Sequence, residues 1–322
     1  RLPYRVYKKL AYPILFSAIG MLLLVHVPGI SLTAGGATRW IKLGPVSFQP
    51  SEMARLSLVI FLAYSMAKKR EAMGEFSIGV IPHVLLTLFL CALLMTQPDF
   101  GSSVLLVAVA GVMMFVGGAR LSHLFLLGLC ALPLAGVFII TAEYRLRRIM
   151  SFWNPWACEA NEGYQVVHSL LAYGTGGLTG QGLGGSFQKL FYLPEPHTDF
   201  IFSVLGEELG LCGVLTVLAI YGVVVWRGLA IAKAAPDRFG AYLATGITAG
   251  VGLSACVNIA VTMGLLPTKG LSLPFLSYGG TGLLINLFAI GVLCNVAASG
   301  RRGIVIKDEP VTLRSVTAAE VK

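Results

Sequence analysis

Residues 201–226, IFSVLGEELGLCGVLTVLAIYGVVVW, decide the class of the molecule. Beyond Glu207 and Glu208 the run reaches Trp226 without another charge, and a helix needs about 20 apolar residues to cross roughly 30 Å of hydrocarbon. A membrane-spanning barrel would instead demand strict alternation of apolar and polar positions, which is absent. Outward from this stretch the same pattern recurs, so that about eight spans are expected: residues 9–28, 51–67, 78–96, 102–118, 122–140, 201–226, 241–265 and 279–298. The composition agrees, with 56% hydrophobic residues, 12% charged and a mean hydropathy of +0.79. The expected fold is all-α, a polytopic transmembrane helical bundle. It forms one transmembrane domain over residues 1–302, with a large extracytoplasmic loop, 141–200, between the fifth and sixth spans.

Orientation follows from the basic residues, which are retained preferentially on the cytoplasmic side. Arg5, Lys8 and Lys9, then Lys68 to Arg70, Arg120, Arg227, Lys233 and Arg238, and finally Arg301 and Arg302 fall on one side of the spans. That side is assigned to the cytoplasm, and residues 303–322 read as a polar, solvated, disordered tail on it. A net charge of +9 suits such loops and their contact with anionic lipid, so no nucleic-acid partner is expected. Cys91, Cys130, Cys158, Cys212, Cys256 and Cys294 are scattered, without disulfide or metal spacing.

The chemistry-bearing residues gather on the other side. In YRLRRIMSFWNPW, Arg145, Arg147 and Arg148 sit where few cations are expected; guanidinium forks suit phosphate or carboxylate, and contact with lipid headgroups is the competing reading. The segment YGTGGLTGQGLGG carries seven glycines between Gly174 and Gly185. It lacks the Gly-Lys-Ser/Thr ending of a phosphate loop, so tight packing or loop mobility is the better reading. LPEPHTDFIFSVLGEELG places Glu195, His197 and Asp199 before a span and Glu207 and Glu208 inside it. Carboxylates at membrane depth need a partner or a polar cavity and mark function by default. Helical spacing would put Asp199, Ser203 and Glu207 on one face, with Asp199 nearest water. Asp199 could act as a general base; the alternative is that Thr198 or Asp199 caps the helix.

Glu52 and Arg55, three apart in a helix opened by Pro50, can pair with each other. Asp99 in TQPDFG and Lys269 in LLPTKGLSLPFLSYGG add charges near other span ends, and the whole set suggests a shared outward polar cavity. His83, His123 and His168 show no ligand spacing.

The segments GATRWIKLGPVSFQPSE, QPDFG, YRLRRIMSF, EGYQVVHSLLAYGTGGLTGQGLG, PEPHTDFIFSVLGEELG and LPTKGLSLPFLSYGG together resemble the shape, elongation, division and sporulation (SEDS) family over nearly the whole chain. TKGLSLPFLSYGG is closer to the division branch than to the elongation branch. The resemblance implies an inverting glycosyltransferase that polymerises lipid II at the outer face of the bacterial cytoplasmic (inner) membrane. It works there with a class B penicillin-binding protein as transpeptidase and with other divisome proteins. The family's catalytic acid falls on Asp199, and its paired membrane charges fall on Glu52 and Arg55, where Lys is commoner than Arg. Arg39, Arg145, Arg147 and Arg148 are then the cations available to a polyprenyl diphosphate. No cofactor is identified; a divalent cation could help, although no carboxylate cluster has ligand spacing. Members typically have ten spans, and this chain begins just before what would be the third. A flippase for the same lipid is the alternative, and a recruiting scaffold a third reading; neither explains why the charges gather outward.

Overall fold

A computed structural model describes residues 2–34, 37–44, 46–140, 143–158, 163–191, 194, 197–268 and 270–301; the expected tail lies outside them. In chain order the elements are α1 (Arg5–Lys9), α2 (Ala11–Leu24), β1 (Ser31–Ala34), β2 (Ala37–Leu43), β3 (Val46–Phe48), α3 (Pro50–Lys68), α4 (Ile81–Met95), α5 (Phe100–Gly117), α6 (Leu121–Ile140), α7 (Glu143–Trp153), α8 (Tyr164–Gly176), α9 (Gln188–Phe191), α10 (Ile201–Lys233), α11 (Arg238–Thr262) and α12 (Gly280–Arg301). Each expected span falls on a helix. Among the described residues five are long and apolar enough to cross a membrane: Phe76–Met95, which includes a π-helical turn before α4, then α5, α10, α11 and α12. The molecule is a helical membrane protein.

α3 is the exception in composition, and its position explains why. Fourteen of its nineteen residues are buried, and it packs against α2, α5, α11 and α12. A helix surrounded by protein can carry Ser51, Glu52, Arg55, Ser57 and Ser65 away from lipid: Arg55 reaches Ser254 and Asn286, Ser65 meets His83, and Glu52 and Ser57 are bonded within α3 itself. Gly246 of α11 lets the three central helices meet, since a methyl there would overlap Val59 of α3 and Met113 of α5.

Two connections between the expected spans carry secondary structure of their own. Residues 29–50 contain an antiparallel sheet in the order β1-β2-β3, with Leu32 opposite Trp40 and Ile41 opposite Phe48. The β-branched and aromatic residues Thr38, Trp40 and Ile41 suit β2, and Gly44, at φ 64°, supplies the left-handed turn residue before β3. Residues 141–200 are largely helical among their described positions: α7, a short 3₁₀ turn at Pro155–Cys158, α8 and α9. α8 is no surface loop, for it packs on α10 and α11, with Ser169 Oγ donating to Thr262 O at 2.6 Å.

α10 is interrupted at Gly210, whose φ of 62° and ψ of −162° are not helical. The break is repaired by the glycine-rich segment. Gln181 N and Gly182 N donate to the carbonyls of Glu207 and Glu208 at 3.0 Å each, while Leu211 N and Cys212 N donate to Gly177 O and Leu178 O at 2.9 and 3.2 Å. Backbone groups freed within a span are thus satisfied by protein, as a lipid environment demands. Close packing accounts for Gly176 and Gly180 of the segment and for Gly210 opposite it, where a methyl would overlap backbone, whereas Gly174, Gly177, Gly182 and Gly184 face open space.

Candidate functional site

Asp199 lies in a turn just ahead of α10, which starts at Ile201. The cap position is Phe200 and no side chain caps it, so the capping role considered for Thr198 and Asp199 does not hold. Of the expected three-residue face, Ser203 and Glu207 lie buried four apart on α10, while Asp199 precedes the helix. Ser203 bonds back to Phe200 O at 2.7 Å. The buried Glu207 carboxylate accepts from Ser186 Oγ, from Phe187 N at 3.2 Å and from Gln188 N at 3.3 Å. Glu207 therefore anchors the segment before α9, and Glu208 pairs with Lys189.

The turn is pinned from three sides. Tyr278 N donates to His197 O at 2.8 Å, Ser277 Oγ donates to Thr198 O at 2.5 Å, and Asn258 Nδ2 donates to Asp199 O at 2.9 Å. Asn258 Nδ2 also donates to Leu271 O at 2.6 Å. One buried amide thereby ties the Asp199 turn to the 270–278 segment, using backbone contacts and leaving the carboxylate to be directed elsewhere. The half-buried Asp199 side chain points toward Gly270, where a methyl group would stand 3.1 Å from Asp199 Oδ2 and 3.8 Å from Arg39 Nη1. Carboxylate and guanidinium thus both approach one glycine, where a side chain would press on the carboxylate.

Arg39 reaches this point from β2. Its Nε donates to Gln97 O at 3.1 Å and its Nη2 to Pro98 O at 2.5 Å, which fixes the fork and turns Nη1 toward Gly270. Asp99, expected as a substrate group, instead caps α5: its carboxylate accepts from Ser102 N at 3.1 Å and Ser102 Oγ at 2.7 Å. It shapes the turn whose carbonyls hold Arg39, one step removed from the carboxylate.

Glu52 and Arg55 pair as their spacing suggests, at 2.5 Å and buried. Arg55 also donates to Ser254 Oγ at 2.9 Å and to Asn286 Oδ1 at 3.3 Å, joining α3, α11 and α12. Ser254 precedes Asn258 by four residues on α11, so the pair sits about one helical turn, roughly 6 Å, from the amide that holds Asp199. His197 is exposed and contributes its carbonyl. Arg147 and Arg148 are exposed on α7, which packs on α6 and the Pro155–Cys158 turn, elements other than those that hold Asp199. Lys269, Glu195 and the side chain of Arg145 lie outside the described residues. Among the described residues no three His, Cys, Asp or Glu side chains are grouped as ion ligands.

Asn258, Gln97, Ser254 and Asn286 were not singled out from the sequence. The available signal was a lone amide or hydroxyl within an apolar span, as in SACVNIAVT, where a polar side chain must find a partner inside the protein.

The sequence pattern of the cell cycle protein family of FtsW, RodA and SpoVE matches residues 1–302. This chain belongs to that family. It is similar to a probable peptidoglycan glycosyltransferase FtsW of Geobacter sp. (strain M18), 48% identical over 298 residues, covering 92% of this chain and 81% of the relative. Stage V sporulation protein E of Bacillus subtilis (strain 168) is 42% identical over the same shares of both chains. Among solved structures, one chain described under structural coordination of polymerization and crosslinking by a peptidoglycan synthase complex superposes with a TM-score of 0.78 at 31% identity, covering 92% of this chain and 83% of that one. The rod shape determining protein RodA of Thermus thermophilus gives 0.65 at 31% identity, covering 92% and 81%. As a member of this family, the chain presents Asp199 and Arg39 from segments that the resemblance had already set apart.

Proposed function

We propose that this chain is a peptidoglycan glycosyltransferase that polymerises lipid II at the outer face of the cytoplasmic membrane during cell division. The observation that carries the reading is the convergence of Asp199 and Arg39 on Gly270. Asp199 takes the proton from the 4-hydroxyl of the incoming lipid-linked disaccharide as that oxygen attacks the anomeric carbon of the growing strand. The bond from that carbon to the polyprenyl diphosphate breaks on the opposite face, and its electron pair leaves with the diphosphate. One carboxylate suffices for this inverting displacement, because no covalent sugar intermediate has to form. Arg39 offsets the charge growing on the leaving group, with Arg145, Arg147, Arg148 and Lys269 as further cations on the same side and a divalent cation as an optional addition. Fixed by two carbonyls, the Arg39 fork needs little reorganisation when that charge appears.

The partner is a class B penicillin-binding protein, which would cross-link the strands made here; the similarity to a chain from a synthase complex supports this. Mixing the purified chain with lipid II tests the activity. Asp199→Ala is expected to abolish polymer, with a loss of about 10²- to 10⁴-fold for a missing general base. Arg39→Ala is expected to lower kcat by about 10²-fold with a smaller change in KM, as for one lost electrostatic donor. Polymer made at the normal rate by a well-folded Asp199→Ala chain overturns the assignment.

A further inference from the structure

The glycine-rich segment that repairs α10 presents four large apolar side chains away from the protein: Leu178 is 70% exposed, Leu183 83%, Phe187 66% and Leu190 62%. Exposed apolar residues grouped in this way mark an interaction surface. Between Leu171 and Phe191 the only charged residue is Lys189, and its ammonium is paired with Glu208. The buried polar side chain of this stretch, Ser186, donates inward to Glu207. Thr179 and Gln181 are the polar side chains exposed between 177 and 190, and Gln181 Nε2 donates to Thr175 O at 2.6 Å; the other exposed side chains are apolar and the charge is neutralised, a combination suited to hydrocarbon rather than to water.

Its height in the membrane follows from α10. Counting outward from Arg227, about 20 residues of helical rise span the roughly 30 Å of hydrocarbon and bring its outer edge close to Glu207. Gly210 and the strand of backbone bonded to it lie about 5 Å inside that edge. Leu209, Leu211 and Leu215 of α10 are exposed at the same level and beyond, so the apolar surface of the span continues onto the segment.

We propose that residues 177–190 are a re-entrant anchor whose Leu178, Leu183, Phe187 and Leu190 side chains are immersed in the acyl chains of the outer leaflet. The occupant of this surface is lipid. Because Gln181, Gly182, Leu211 and Cys212 lock the segment to α10 through backbone bonds, the anchor sets the level of the Asp199 turn, about 10 Å above the hydrocarbon edge by helical rise. That level suits a carboxylate that must meet a sugar linked through a diphosphate to a membrane lipid. The orientation used here rests on the outward-facing site proposed above.

The test places a nitroxide on Leu178→Cys or Leu183→Cys, in a chain whose six native cysteines are replaced and which remains monodisperse in phospholipid nanodiscs. Accessibility to oxygen and to a water-soluble nickel chelate is compared with Leu215→Cys, on the exposed face of α10, and with Ser47→Cys, on β3. The expected result is oxygen access several-fold above nickel access at both loop positions, as at Leu215. Nickel access equal to that at Ser47 overturns the proposal. So does a loop that excludes both reagents in the isolated chain, or one that is wet until a purified transpeptidase is added, which would make it a protein interface. No polymerisation is required for this readout. Lipid contact can therefore fail while Asp199 still proves catalytic, and an active Asp199→Ala chain would leave the immersion result standing.

Discussion

Asn258 controls the position of the carboxylate without touching it. Its two amide hydrogens go to Asp199 O and Leu271 O, so Asn258→Leu strands two carbonyls at about 1–3 kcal/mol each. The expected outcome is a polymerisation rate at least about tenfold lower, equivalent to about 1.4 kcal/mol in the barrier, with a lowered thermal midpoint in detergent. Unchanged turnover would show that the turn holds its shape by other means. The Glu52–Arg55 pair behaves differently because both charges are buried. Arg55→Ala leaves Glu52 uncompensated and is expected to cost about 3–5 kcal/mol, whereas removing both charges together costs much less. A double-variant cycle on thermal unfolding checks this. Arg55→Lys should fall between, since one ammonium cannot reproduce the fork that reaches Glu52, Ser254 and Asn286 together.

At the scale of elements, the break in α10 and the segment bonded to it form one unit. Gly180 and Gly182 are both left-handed, at φ 81° and 91°. They differ in surroundings: a methyl at Gly180 would overlap the Glu208 carbonyl and Leu209 N, while Gly182 has open space. Gly182→Ala therefore meets only the backbone penalty, about 1–2 kcal/mol. Gly180→Ala adds a steric term that displaces the segment from α10. Limited proteolysis of residues 177–191 should be markedly faster for Gly180→Ala than for Gly182→Ala; equal rates would mean that the backbone lock does not hold the segment. The sheet of β1, β2 and β3 plays the matching part on the other side, since β2 delivers Arg39. Its β-branched and aromatic residues were visible in ATRWIKL, but a short strand between two membrane spans reads as loop until its partners are known.

Over the whole molecule, the two ends of the described chain are clasped on the basic side. Tyr4 N donates to Asn295 Oδ1 at 2.8 Å and Tyr4 Oη to Asp237 Oδ2 at 2.5 Å. Asp237 also caps α11 through Gly240 N at 2.7 Å and faces Arg5 at 3.5 Å. Burial first, and then the Asp237 carboxylate, hold the Tyr4 phenol above its ordinary pKa. A raised pKa means that this contribution is fully present below about 10, the unfolded value, and is lost only at higher pH. Tyr4→Phe is expected to cost about 1 kcal/mol. Asp237→Ala should cost more, because the helix cap, worth about 1 kcal/mol, goes with it. Thermal unfolding of the two variants near neutral pH gives the order. Eight helices at the eight expected places, the pairing of Glu52 with Arg55 and the candidacy of Asp199 were all legible from the chain, because hydrocarbon thickness and the cost of charge in lipid act on local sequence. The meeting of Asp199 with Arg39 across Gly270, the use of Asp99 as a cap, the role of Asn258 and the repair of α10 by glycines thirty residues upstream were decided only in three dimensions. They depend on contacts between segments far apart in the chain, and no local pattern of residues encodes which carbonyl a distant amide will find.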